Sequence, residues 1–284
     1  MRRSCDAIGC WFGLFENRDF KGGMGMLAEP GRTAYDVNFG LLGFPVRISI
    51  GFWIMALVFG YDLVSQLSQL FPGSRGPLLL LWIFSVFVSI LVHELGHAVA
   101  MRMCGQQASI VLYHFGGLAI PQNAYGARFS KKNSSKAEKI FITAAGPLAQ
   151  LTLAAIVIGV ARARDFEILL MPDFLSSVPS LAGGQPIDSP GMFGLVNFLV
   201  WPSVMWALLN LIPVYPLDGG QIAKEIIELF GGTLYHAIVL SMGCALLMAA
   251  YGVMSGRLFM TLLFASLAYS NYEMLTGGGS RGRF

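Results

Sequence analysis

The sequence predicts an all-α polytopic membrane protein: six transmembrane helices with a short membrane-associated β-hairpin. Three observations predict it. Apolar residues make up 55% of the chain and charged residues only 12%, with a mean hydropathy of +0.63; a soluble chain carries about a quarter charged residues. Six apolar runs approach the length needed to cross a bilayer core of about 30 Å. One further apolar stretch is too short to span and is rich in β-branched and aromatic residues. The net charge of +3 is small, and Lys and Arg do not gather as a nucleic-acid footprint requires, so no nucleic-acid partner is expected. The 4 cysteines form no CxxC pair and no disulfide framework.

Residues 1–37 read as a flexible N-terminal arm, or as sequence preceding a start at Met24 or Met26. The arm has basic residues but no continuous apolar run, so no cleavable signal peptide is expected. Residues 38–276 read as one six-span domain and 277–284 as a flexible, Gly-rich basic tail. Phe39 to Arg47 read as an amphipathic lead-in, where Pro45 argues against a helix. The first span runs from about Ile48 to Leu70; Asp62 lies inside it, towards the far end, and reads as interfacial beside Tyr61 and Ser65. Pro72 to Pro77 form a tight turn. The second span runs from Leu78 to about Met103. Ala108 to Pro121 follow, with Gly116-Gly117 inside, as a hairpin or re-entrant element. A basic loop covers 128–139. The third span, about Ile140 to Ala161, has a small-residue patch at Ala144-Ala145-Gly146-Pro147 that permits close helix approach and a kink.

A connecting loop covers 162–191, and the fourth span runs from about Met192 to Ile212. It leads into Asn210-Leu211-Ile212-Pro213-Val214-Tyr215-Pro216-Leu217-Asp218-Gly219-Gly220, where two prolines must open the backbone. A short amphipathic helix over 221–230 precedes the last two spans, about Leu234 to Val253 and Leu258 to Leu275.

The chain is organised around His93-Glu94-Leu95-Gly96-His97. Histidines four apart share one helix face, so both imidazoles can reach one tetrahedral zinc, with the Glu between them as general base. His93 lies roughly 22 Å along its span at about 1.5 Å per residue, in the last third of the crossing. Ionisable residues at such depth are costly and usually mark function. Cys104 follows closely and reads as a buried free thiol. His114 is a candidate ligand that reads better as a hairpin histidine bonded to backbone.

Six spans put both termini on one side, and the loops of that side hold 15 Lys and Arg against 4 on the other. The bias places both termini in the cytoplasm. The second and fourth spans then both enter from outside, which brings Asp218 back to the depth of the histidine pair. Its carboxylate is the hard donor that completes a His₂Asp site with a fourth position open.

These residues resemble the site-2 protease family of intramembrane zinc metalloproteases. The matching stretches are His93 to His97, Phe115-Gly116-Gly117, Ala145-Gly146-Pro147, Asn210 to Gly220 and the lead-in Phe44-Pro45-Val46-Arg47. The resemblance implies one zinc per chain on His93, His97 and Asp218, with Glu94 as general base and Asn210 assisting substrate or oxyanion. It implies a membrane-protein substrate, cut within its transmembrane helix. The family often has Asn where this chain has Gln150, which leaves that contact open. No loop or tail has room for the PDZ and CBS modules of some members, so a minimal six-span member of a cell membrane is expected. Two rivals are a non-catalytic pseudoprotease that binds membrane proteins and a metal transporter. The first lacks support because the expected catalytic positions are intact; the second usually needs a trail of ligands across the membrane.

Overall fold

A computed structural model describes residues 31–114, 116–121, 134–170, 172, 178 and 183–277. Most of the N-terminal arm, Phe115, the loop residues Arg128, Lys131 and Lys132, part of the 162–191 connection and the tail beyond 277 lie outside the described residues. The elements in order are β1 (Val37–Leu41), β2 (Phe44–Ile48), α1 (Ile50–Leu67), α2 (Arg75–Met103), β3 (Ala108–Tyr113), β4 (Gly116–Pro121), α3 (Lys136–Ala163), α4 (Pro190–Leu211), α5 (Asp218–Leu229), α6 (Leu234–Met254) and α7 (Leu258–Gly277).

The chain is mostly helical, and five helices (α1, α2, α3, α4 and α6) are long and apolar enough to cross a membrane. α7 is also long, but its last turns carry Ser270, Asn271 and Glu273, which lower its hydropathy. Among the spans, α2 and α4 sit deepest, with 44% and 50% of their apolar windows buried against 22% for α1. α2, α3 and α4 pack on one another as the centre of the molecule. α6 and α7 pack chiefly as a pair, with α5 against α6. α3 begins with a capping box between Ser135 and Glu138, which satisfies two otherwise orphaned amides.

The expected hairpin is half of a larger sheet, which corrects the all-α expectation. Four strands lie in the order β1-β2-β3-β4. β1 and β2 pair antiparallel, and so do β3 and β4; β2 and β3 pair in parallel, with Val46 opposite Ile110. The lead-in is therefore a second hairpin. Its two-residue turn, Leu42-Gly43, has φ of 51° and 80°. Positive φ at both central positions matches the twist of a tight hairpin. Arg102, from the last turn of α2, stacks over the Phe44 ring at 3.5 Å and donates to the Leu42 carbonyl at 2.9 Å. The sheet is thereby pinned to the end of α2 that carries the histidines. Phe44, Val46 and Ile48 pack with Ile110, Leu112, Ile90 and Ala98 beneath it.

Candidate metal centre

α2 presents His93, Glu94 and His97 to the interior, all buried. α4 ends at Leu211, the segment 212–217 leaves the helical path, and α5 restarts at Asp218. The backbone opening expected at the two prolines is thus present, and Asp218 stands in the first turn of a new helix. That position favours a carboxylate, since the helix N-terminus carries partial positive charge.

The three side chains converge. His93 Nε2 lies 3.1 Å from His97 Nε2 and 3.1 Å from Asp218 Oδ2, and His97 Nε2 lies 3.5 Å from the same oxygen. Each histidine commits its other nitrogen elsewhere. His97 Nδ1 faces the Ile142 carbonyl at 2.9 Å; a carbonyl only accepts, so Nδ1 carries the proton. His93 Nδ1 donates to Gln150 Oε1 at 2.9 Å. Both Nε2 atoms therefore present lone pairs, and the third vertex is a carboxylate oxygen. Three acceptors aimed at one point repel one another unless a cation lies between them. A tetrahedron with ligand bonds of about 2.0–2.1 Å has edges of about 3.3–3.4 Å, close to the separations seen. The donor set and its spacing fit zinc. Among the described residues, His93, His97 and Asp218 form the one group of three such side chains close enough to share an ion.

Close approach shapes the surroundings. Gly146 of α3 lies against the His97 ring; a Cβ there would land on Nε2. Gly117 of β4 lies against Glu94 in the same way, so that a Cβ would collide with the carboxylate. These two contacts explain why glycine stands at 117 and 146. Glu94 faces a cavity of about 450 Å³, which His93, His97, Asp218 and Asn210 also line. Asn210 sits with one amide hydrogen on the Trp206 carbonyl at 3.0 Å. An apolar cavity of about 590 Å³ adjoins it and shares Phe59, Tyr113, His114 and Trp206.

The structure thus brings together all five residues expected at the site. His114, by contrast, is exposed at the end of β3 and outside the ligand group. Cys104 is a free thiol, half-buried rather than buried. Asp62 is exposed and accepts from Gln66 at 2.9 Å. Gln150, left open by the sequence, is fully buried; besides holding His93 it donates to Ser89 Oγ at 2.8 Å, and Ser203 Oγ donates to the same oxygen at 2.9 Å. A line of polar contacts therefore runs from Ser203 of α4 to Ser89 of α2, across to Gln150 of α3, and from there to the first ligand. Ser89 and Ser203 give no motif signal; a polar residue within an apolar run is the one clue the sequence offers.

Comparison with known proteins finds relatives over much of the chain. Residues 81–250 match the family model of peptidase family M50. A putative zinc metalloprotease of Synechocystis sp. is 30% identical over 206 residues, covering 71% of this chain and 46% of the relative. A zinc metalloprotease of Methanocaldococcus jannaschii is 25% identical over 229 residues, covering 79% and 56%. The putative zinc metalloprotease Rip3 of Mycobacterium tuberculosis is 26% identical over 194 residues, covering 65% and 41%. The chain spans about half the length of these curated relatives. The solved site-2 protease from Methanocaldococcus jannaschii shares the fold, with a TM-score of 0.50 at 22% identity, covering 88% of this chain and 97% of that one.

Proposed function

The chain belongs to peptidase family M50, and from that premise we propose that it is a zinc-dependent intramembrane endopeptidase that cleaves transmembrane segments of membrane proteins. The observation that carries this reading is the convergence of two unprotonated imidazole nitrogens and a carboxylate inside apolar helices, beside a buried glutamate. Held by His93, His97 and Asp218, zinc supplies Lewis acidity toward a water and the scissile carbonyl. Glu94 takes the proton of that water and later returns it to the leaving amine. Gln150 and the Ile142 carbonyl hold the ligand rings by their Nδ1 protons, which fixes the tautomers. Asn210 has a second amide hydrogen to offer the carbonyl oxygen as negative charge develops. β4 is an edge strand of the sheet and lines the same cavity, so an unwound substrate segment can pair alongside it.

A transmembrane helix hides its carbonyls in internal hydrogen bonds and must open before it is cut. Substrates with helix-destabilising residues near the cleavage site are therefore preferred. The reading includes α7 as a sixth span, both termini in the cytoplasm of a cell membrane, and a site near the cytoplasmic face, supported by the 15-to-4 distribution of Lys and Arg.

The test uses purified protein in detergent with zinc and a tagged membrane substrate. Glu94→Gln should keep its zinc and lose about 10²- to 10⁴-fold in cleavage rate. Undiminished cleavage by that variant removes Glu94 as the base. Zinc bound and substrate retained but never cut, in wild type, would favour the binding rival. Equal cleavage of a Leu-rich helix and a Gly/Pro-containing one would remove the substrate preference.

A further inference from the structure

The segment 212–217 links α4 to Asp218 without a helix of its own, and buried backbone needs hydrogen-bond partners. Most of its partners are local. Val214 N–H donates to the Ile212 carbonyl at 2.7 Å and Leu217 N–H to the Val214 carbonyl at 2.8 Å. Gln221 Nε2, from α5, donates to the Pro216 carbonyl at 2.9 Å. Tyr215 is different. Its N–H donates to Ser241 Oγ of α6 at 2.6 Å, and its carbonyl accepts from Asn271 Nδ2 of α7 at 2.7 Å. The two side chains are themselves joined, Ser241 Oγ donating to Asn271 Oδ1 at 2.9 Å. Asn271 is anchored further by donating to the Leu267 carbonyl one turn back, at 2.7 Å. Ser241 is 1% exposed and Asn271 fully buried. Around them Val214 packs on Ala245 of α6 and on Phe264, Leu267 and Ala268 of α7.

We propose that Ser241 and Asn271 are positioning residues for the metal site. They grip the residue three places before Asp218 by both its N–H and its carbonyl, and so set where that carboxylate stands. The last pair of helices contributes nothing to the ligand set, yet it governs how tightly the site takes zinc. The polar turn that lowers the hydropathy of α7 has this use. The inference rests on the proposed assignment of Asp218 as a ligand.

The experiment compares wild type, Asp218→Ala, Ser241→Ala and Asn271→Leu, each as the full chain in detergent. Zinc affinity is read by competition with a chromophoric chelator. Cobalt(II) in place of zinc gives a visible spectrum that reports the ligand geometry. Ser241→Ala and Asn271→Leu are expected to bind zinc about tenfold or more weakly, with altered cobalt bands and unchanged helical content by circular dichroism. Wild-type affinity and wild-type cobalt bands in both, while Asp218→Ala binds weakly, overturn the positioning role and leave the ligand assignment standing. Wild-type affinity in Asp218→Ala overturns the assignment itself, and the inference with it. Should Asn271→Leu fail to fold, Ser241→Ala, which removes a single oxygen atom, decides the outcome alone.

Discussion

His93 and His97 can both act as ligands because something else occupies their Nδ1 atoms. The sequence announces the histidines through their spacing, and Asp218 through its place after a broken span. It does not announce Gln150, whose partner His93 is 57 positions away; an amide in an apolar helix reveals its purpose only when the opposing helix is known. Gln150 spans His93 and Ser89 at once, which the shorter Asn side chain would not do from the same backbone. Gln150→Leu should weaken zinc binding about 10- to 100-fold, with Gln150→Asn between it and wild type in the same chelator titration. Gly146 gives a prediction in which two effects compete. Alanine in a helix interior gains up to about 1 kcal/mol over glycine, but here its Cβ meets the buried His97 ring, which the Ile142 carbonyl holds in place. Gly146→Ala should therefore lower the metal-free melting temperature and zinc affinity together. An alanine variant that takes up zinc like wild type would show that the ring can move aside freely.

At the scale of elements, α5 carries Asp218, and its docking depends on charges from α3. Lys139 Nζ lies 3.4 Å from Glu225 Oε1, Lys136 Nζ lies 3.8 Å from Glu228, and Lys224 adds a contact to Glu225 at 3.0 Å. Burial acts to raise the Glu225 carboxyl, but the hydrogen bond and charge of Lys224, with Lys139 behind it, outweigh burial and hold it below the usual range. A depressed folded pKa stabilises the fold above the unfolded value of about 4.3 and ceases to do so as pH falls through the folded value. Wild type should thus melt higher than Glu225→Gln at pH 7, and the gap should close on acidification. The gap should stay within about 1 kcal/mol, because Lys139 is 47% exposed and salt screens such pairs. A gap that is flat with pH would show the pairs to be idle. The amphipathic pattern of α5 and all the long helices were legible within a few residues. The first hairpin was not: Leu42-Gly43 lacks the Asn or Asp that usually marks a turn with two positive φ values. Pro45 argues against a helix there, and the structure has none; what it does not announce is the strand it belongs to.

The whole molecule is a multi-pass membrane protein, and the charge of its loops bears on its orientation independently of its packing. The proposed topology puts both ends of the chain on one side. Epitope tags at the two termini should respond alike to protease added outside sealed right-side-out vesicles, both protected until the vesicles are opened. Opposite responses would remove either α7 as a crossing or one of the other five. Sequence periodicity could not reveal that β2 and β3 lie side by side, because they are separated by two long helices and parallel pairing leaves no local signature. That pairing has a topological consequence. A chain that leaves a sheet at β2 and rejoins it alongside at β3 has to return to the membrane face it left, so the crossings between them must be even in number. The sheet works as a parity check on the segment that carries the histidines. Inserting two spans between β2 and β3 preserves it; inserting one puts β3 on the wrong face, and no adjustment of loop charge can repair the mismatch.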